Sequence, residues 1–334
     1  MQFKGIEIHN ARTLAKGEEG LLIRRLPEDL IPFLKTDASV ASGVELRLVP
    51  ISDEVTIKIK LTEGNTVQAI VYYGSVQSGW KELYKTITSG DCSITVKKSP
   101  FADILKTQSE RISAPFSPEV IRVVLQSARY EIIDVIGECR PPRAEELPKL
   151  KYLAYGSSIT HGSLSISPTR TYPFLISEAL KTDYLNFGFA GSAMLEPEMA
   201  DYIADHCEFD FATLEMGINM LKTHDPDEFY GRVKYFVKRI AEAHPDKKIF
   251  CIDVFYHSWD FDTLDDPSAK TNQFRRMVKT AVLELGLPNT VYVEGLSILT
   301  GFEYLTEDLT HPNATGIELI AKNLLKVIKS EIDI

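Results

Sequence analysis

The chain has 334 residues, enough for two domains of ordinary size, each with its own core. With 44% hydrophobic and 25% charged residues, its make-up is that of a water-soluble globular protein. The net charge of −10 argues against a nucleic-acid partner or an acidic membrane surface, because phosphate binding calls for clustered Lys and Arg.

Residues 1 to about 140 read as strands and turns. Val44 to Val49 alternates between apolar and polar, and Val55 to Leu61 alternates strictly, with every second side chain apolar. Val67 to Tyr73 is richer in apolar residues, as in a strand buried on both faces. Ser93 to Lys97 alternates again, and the runs Val120–Leu125 and Glu131–Ile136 complete the set. Turn signals separate the runs at Glu63-Gly64-Asn65, Ser89-Gly90-Asp91 and Ser117-Pro118. Many short strands with no long helical pattern between them predict an antiparallel, jelly-roll-like sandwich over residues 1–140.

The polar, proline-rich stretch from Arg140 through Pro148 reads as a linker, placed at 141–149, and a second domain is expected over 150–334. There, strand patterns near 151–155, 183–189, 209–216, 247–255 and 290–294 alternate with helical ones near 171–181, 197–206, 226–243, 267–286 and 313–331. Phe229, Val233, Phe236, Val237 and Ile240 recur at spacings of three and four, as do Ile317, Ile320, Ala321, Leu324, Leu325 and Ile328. This alternation predicts a five-stranded parallel sheet covered by helices on both faces, a three-layer α/β/α fold of the flavodoxin-like kind.

Cys92, Cys139, Cys207 and Cys251 lie far apart and form no CxxC pair, so neither a zinc site nor a disulfide framework is expected. The first residues lack a basic segment leading into an apolar core. No apolar run approaches the roughly 20 residues of a membrane helix. The default expectation is a cytoplasmic protein without a membrane partner.

Open α/β sheets place ligands beyond the carboxyl ends of their strands, so those loops are where chemistry is sought. The first strand ends in Gly156-Ser157-Ser158, the second in the small-residue stretch Asn186 to Ser192, and the third in Glu215 to Met220. Asp308-Leu309-Thr310-His311-Pro312 precedes the last helix. Taken alone, Gly156-Ser157-Ser158 is an ordinary turn with a capping serine. Ester hydrolysis by serine needs a hydroxyl, a base, a carboxylate to fix the imidazole tautomer, and donors for the oxyanion. Ser158, His311 and Asp308 supply the first three. The N–H groups of Ser158 and Gly191 and the side-chain amide of Asn219 supply the donors. If the first three strands lie in the order 2-1-3, their loops converge.

In these four blocks, in this order, the chain from about 150 onward resembles an SGNH hydrolase of the GDSL esterase superfamily, named for Ser, Gly, Asn and His. The resemblance implies the roles already assigned to Ser158, Gly191, Asn219, His311 and Asp308. Two positions depart from the pattern: Ser157 stands where the family commonly has Asp before the nucleophile, and Met220 where it commonly has Asp after the Asn. The strand-rich N-terminal region followed by such a domain is similar to two-domain carbohydrate acetylesterases.

The resulting expectation is a serine esterase that removes a short acyl group, acetyl first, from a carbohydrate or related small molecule, with no metal or organic cofactor. Its activity should fall below about pH 6, where imidazole is protonated. The rival enzyme reading is a thioesterase or lysophospholipase. The rival outside enzymes is a carbohydrate-binding protein with a degenerate hydrolase domain. His161 reads as a loop residue lining the pocket. Arg170, His257 and Trp259, also placed in loops, are candidates for substrate contact.

Overall fold

The computed structural model describes residues 1–63, 66–79, 84–87, 90–261 and 268–333. The expected turn residues Gly64, Asn65 and Ser89 lie outside them. The N-terminal region is built of two antiparallel sheets. One runs β1 (Gln2–Phe3), β2 (Ile6–His9), β5 (Glu45–Pro50), β11 (Ile121–Leu125), β7 (Val67–Tyr73), β8 (Val76–Gln77). In it β13 (Cys139–Arg140) flanks β5, and β9 (Tyr84–Ile87) flanks β7. The other runs β10 (Gly90–Lys97), β6 (Glu54–Leu61), β12 (Tyr130–Ile136), β4 (Leu21–Arg24), β3 (Thr13–Lys16). In β6 the alternation does what a period of two requires: Val55, Ile57, Ile59 and Leu61 are buried, and the residues between them are not. They meet Ile8, Leu46, Leu48 and Val123 of the facing sheet in one core.

The four short strands before residue 25 and the helix α1 (Ala102–Arg111) are not among the sequence expectations. Strands of two to four residues are too short to show a period. Of the α1 residues only Ser109 is buried, so no apolar stripe marks it as a helix.

The C-terminal sheet is parallel and five-stranded, in the order β15 (Asp183–Gly188), β14 (Lys151–Gly156), β16 (Phe211–Glu215), β17 (Lys248–Ile252), β18 (Thr290–Val293). The first three strands thus lie in the order 2-1-3, the condition for their loops to converge. Alternate side chains of β14 enter two different cores. Leu153 and Tyr155 join α4 (Pro197–His206), α5 (Pro226–Ala243) and α6 (Ser268–Leu285). Tyr152 and Ala154 join α3 (Tyr172–Leu180) and α8 (Ala314–Glu331). That is the three-layer arrangement. Two one-turn helices, α2 (Ser158–His161) and α7 (Gly295–Ile298), fall where loops were expected. Among the described residues no helix is long and apolar enough to cross a membrane.

The two regions share their cores. Ile70, Tyr72 and Val124 of the N-terminal sheet pack into the cluster under α3 and α8, and Leu26, Leu30 and Ala38 into the one under α4, α5 and α6. Arg47 adds a bidentate bond to Asp183, at 3.0 and 2.7 Å, and Glu45 binds both Arg47 and Arg122 in the interior.

Candidate active site

The turn after β14 is shaped by close approach. A Cβ on Gly188 would overlap the backbone of His161, and one on Gly156 would overlap the Glu215 carboxylate and the Thr160 hydroxyl. Glycine at both positions lets α2 rest directly on the strand ends. Ser157 caps α2, its Oγ accepting from the N–H of Ile159 at 3.1 Å. Ser158, the first residue of α2, stands at the carboxyl edge of the sheet beside the switch point between β14 and β16.

The loop before α8 brings a histidine to it. Asn313 caps α8 through the N–H of Gly316 at 3.0 Å. Thr306 N–H donates to His311 O at 2.8 Å, closing the loop on itself. One oxygen of Asp308 accepts from the N–H groups of Thr310 and His311, both at 2.9 Å, and from the Thr306 hydroxyl at 2.8 Å. Its other oxygen lies 2.6 Å from His311 Nδ1. Burial alone would raise the Asp308 carboxyl, but the His311 backbone and ring, with Thr310 and Thr306, outweigh it and hold the group well below the usual carboxylate range. An ionised carboxylate only accepts, so Nδ1 carries the ring proton. Nε2 then turns its lone pair to Ser158 Oγ, 2.7 Å away. Ser158, His311 and Asp308 form one hydrogen-bonded line.

The loops after β15 and β16 close the other side. Asn219 sits in the 3₁₀ turn Ile218–Met220 and donates through its amide to the carbonyl of Ser192, next to Gly191. An amide carries two N–H donors, so one stays available. A Cβ on Gly191 would meet nothing within 4 Å, so this position faces open space.

The model of the GDSL-like lipase/acylhydrolase family matches residues 150–329. The chain belongs to that family. As a member it is an acyl-ester hydrolase, and no curated protein matches it in sequence. In fold, this acylhydrolase is similar to the salicylyl-acyltransferase of a tetracycline biosynthetic pathway. That match has a TM-score of 0.79 and 20% identity, over 98% of this chain and 94% of the other. It is also similar to a family two carbohydrate esterase from Clostridium thermocellum, solved with cellohexaose, at TM-score 0.63 and 15% identity, over 98% and 99%. An acetyl xylan esterase from the rumen bacterium Butyrivibrio proteoclasticus matches at 0.58 and 12%, over 99% and 97%. The whole chain, N-terminal sheets included, takes part in these matches.

Where the resembling pattern has two aspartates, this acylhydrolase has a cap and a core residue: Ser157 holds Ile159, and Met220 is buried among the apolar side chains. A carboxylate comes instead from Glu215, the last residue of β16, which the sequence reading passed over. It is buried, and its Oε2 accepts from the N–H of Ser157 at 2.7 Å and from the Thr160 hydroxyl at 3.0 Å. Burial raises its pKa, against the pull of these donors. The available signal is an acidic residue ending an otherwise uncharged strand.

His161 is helical and buried, which corrects the expected loop placement. Its Nε2 lies 2.7 Å from Ser127 Oγ, and its Nδ1 lies 3.1 Å from Gly188 O and 3.3 Å from Arg25 Nη2. The cavity of about 340 Å³ that it lines is shared with Ser42, Gln126 and Ser127 of the N-terminal region, and its lining includes none of Ser158, His311 and Asp308. Both ring nitrogens are engaged because α2 packs against that region. Arg170 is exposed, 3.8 Å from Glu318 of α8. His257 is buried, 3.4 Å from the Thr271 hydroxyl. The next residue, Ser258, donates its N–H to Leu309 O at 2.7 Å, which places this loop against the one carrying Asp308. Trp259, in the 3₁₀ turn Ser258–Asp260, is half-buried, with Lys222 6.0 Å from its ring centre.

Proposed function

We propose that the protein is a serine esterase that removes short acyl groups, acetyl first, from a carbohydrate or related small molecule. The observation that carries this reading is the line Ser158 Oγ, His311 Nε2, His311 Nδ1, Asp308, with steps of 2.7 and 2.6 Å. Ser158 Oγ attacks the ester carbonyl and passes its proton to His311 Nε2, while Asp308 stabilises the imidazolium and holds its tautomer. The oxyanion is met by the N–H groups of Ser158 and Gly191 and by the free N–H of the Asn219 amide. The intermediate collapses, the alcohol leaves with the proton from His311, and the acyl group remains on Ser158. A water then gives a proton to His311 and attacks. Collapse releases the acid and restores the serine.

The carbohydrate half of the reading draws support from the similarity in fold to an acetyl xylan esterase and to a carbohydrate esterase solved with cellohexaose. The test is a series of p-nitrophenyl esters of rising chain length, then acetylated sugars, with wild type and Ser158→Ala. Acetate should be the best acyl group and Ser158→Ala should be inactive with an intact fold. Unchanged turnover in that variant would sink the reading, and preference for long chains would redirect it to a lysophospholipase or thioesterase.

A further inference from the structure

Strand β15 is the edge of the parallel sheet, and an edge strand presents a row of backbone groups with no neighbouring strand. Its outward carbonyls fall on alternate residues: Tyr184, Asn186 and Gly188. Side chains of the N-terminal region take them up in order. His9 Nε2 lies 2.7 Å from Tyr184 O. Asn10 Nδ2 donates to Asn186 O at 3.1 Å. Arg25 shares Asn186 O with Asn10 and takes Gly188 O alone, through Nη1 and Nη2 respectively, each at 2.8 Å.

Arg25 is 2% exposed. Its Nε donates to Val40 O at 2.8 Å, and its guanidinium lies 4.5 Å from the centre of the Phe189 ring. Its acceptors are the backbone carbonyls of Val40, Asn186 and Gly188, and a histidine ring stands beside it. Desolvating a guanidinium is costly unless every donor is placed, so a buried one bound this way ties down the backbone it touches. The backbone it touches leads into the second block. Phe189 N–H donates to Gly156 O at 2.9 Å, Ser192 N–H donates to Phe189 O at 3.1 Å, and Asn219 holds Ser192 O from the far side. Gly191 lies between these two anchors. The same Arg25 Nη2 stands 3.3 Å from His161 Nδ1, at the end of the one-turn helix that Ser158 begins.

We infer that Arg25 is a positioning residue of the active site, fixing the loop that carries Gly191 relative to the helix that begins with Ser158. The inference rests on the reading of Ser158 and Gly191 given above as nucleophile and oxyanion donor. It makes the N-terminal region part of the catalytic frame. Arg25 does not touch the reacting atoms, so its removal acts through the geometry of the oxyanion donor.

The test compares Arg25→Ala and Arg25→Lys with His9→Ala, a change at the far end of the same strand edge. With p-nitrophenyl acetate, Arg25→Ala should lower kcat by about 100-fold, the cost of misplacing an active-site group by roughly 1 Å, with KM little changed. Millimolar guanidinium should restore part of that kcat, and Arg25→Lys should fall between Arg25→Ala and wild type. His9→Ala should lower the thermal midpoint and leave kcat intact. Arg25 variants with normal kcat per folded molecule would overturn the inference, as would an equal kcat loss in His9→Ala. If Arg25→Ala fails to fold, Arg25→Lys against His9→Ala decides. Activity in Ser158→Ala would defeat the parent reading instead. An inactive Ser158→Ala with normal Arg25 variants would defeat this inference alone.

Discussion

Two serine–histidine pairs among the described residues have the same length. His311 Nε2 lies 2.7 Å from Ser158 Oγ, and His161 Nε2 lies 2.7 Å from Ser127 Oγ. What stands behind each ring differs. His311 is backed by a carboxylate held in its ionised form, and its side chain keeps 22% exposure at the carboxyl end of the sheet. His161 is backed by the Gly188 carbonyl and the Arg25 guanidinium, in a buried seam. Burial first, and then the Arg25 charge, push its pKa down to about 3, so the ring stays uncharged at neutral pH and is a weak base. A short Ser–His distance therefore identifies nothing by itself. The group on the other ring nitrogen separates the proposed proton acceptor from a structural tie.

Three changes sharpen this contrast. The largest effect is expected from Asp308→Asn, which keeps the shape of the loop but allows the wrong tautomer of His311; kcat should fall by about 10⁴-fold. Steady-state kinetics on p-nitrophenyl acetate reads it, and a loss of less than tenfold would remove Asp308 from the proposed triad. The second effect concerns acid stability. In the folded chain His161 titrates at about 3, against 6.5 when unfolded. Between those values unfolding takes up a proton. The stability from His161 is full above 6.5 and drains at up to about 1.4 kcal/mol per pH unit as pH falls toward 3. Urea melts of wild type and His161→Gln between pH 7 and 5 should show a flatter acid slope in the variant, and equal slopes would contradict the burial argument. The smallest effect is Ser127→Ala, which should cost about 1 kcal/mol of stability, the worth of one hydrogen bond, with kcat unchanged.

The same contrast explains what the sequence could reveal. The candidates Ser158, Asn219, His311 and Asp308 could be singled out because each is a polar residue suited to the chemistry at a strand end or before a helix, and order along the chain is all their pattern needs. The parallel sheet was legible because residues such as Phe229, Val233 and Phe236 repeat with the helical period. Glu215 and Arg25 were hidden for the opposite reason. Glu215 meets Ser157 across 58 positions, and Arg25 meets Asn186 across 161. No local spacing encodes either contact. The placement of His161 was missed because α2 is a single turn, too short to show a period. Only the packing of the two regions shows that its ring is spent on holding them together.

The most direct test is to find where the acyl group goes. The protein would be mixed with p-nitrophenyl acetate, quenched in acid within the first turnover, digested and mapped by mass spectrometry. The acetyl group is predicted on the peptide carrying Ser158 and on no other serine, with Ser127 unmodified. Acetyl on Ser127, or full turnover with Ser158 never acylated, would contradict the account.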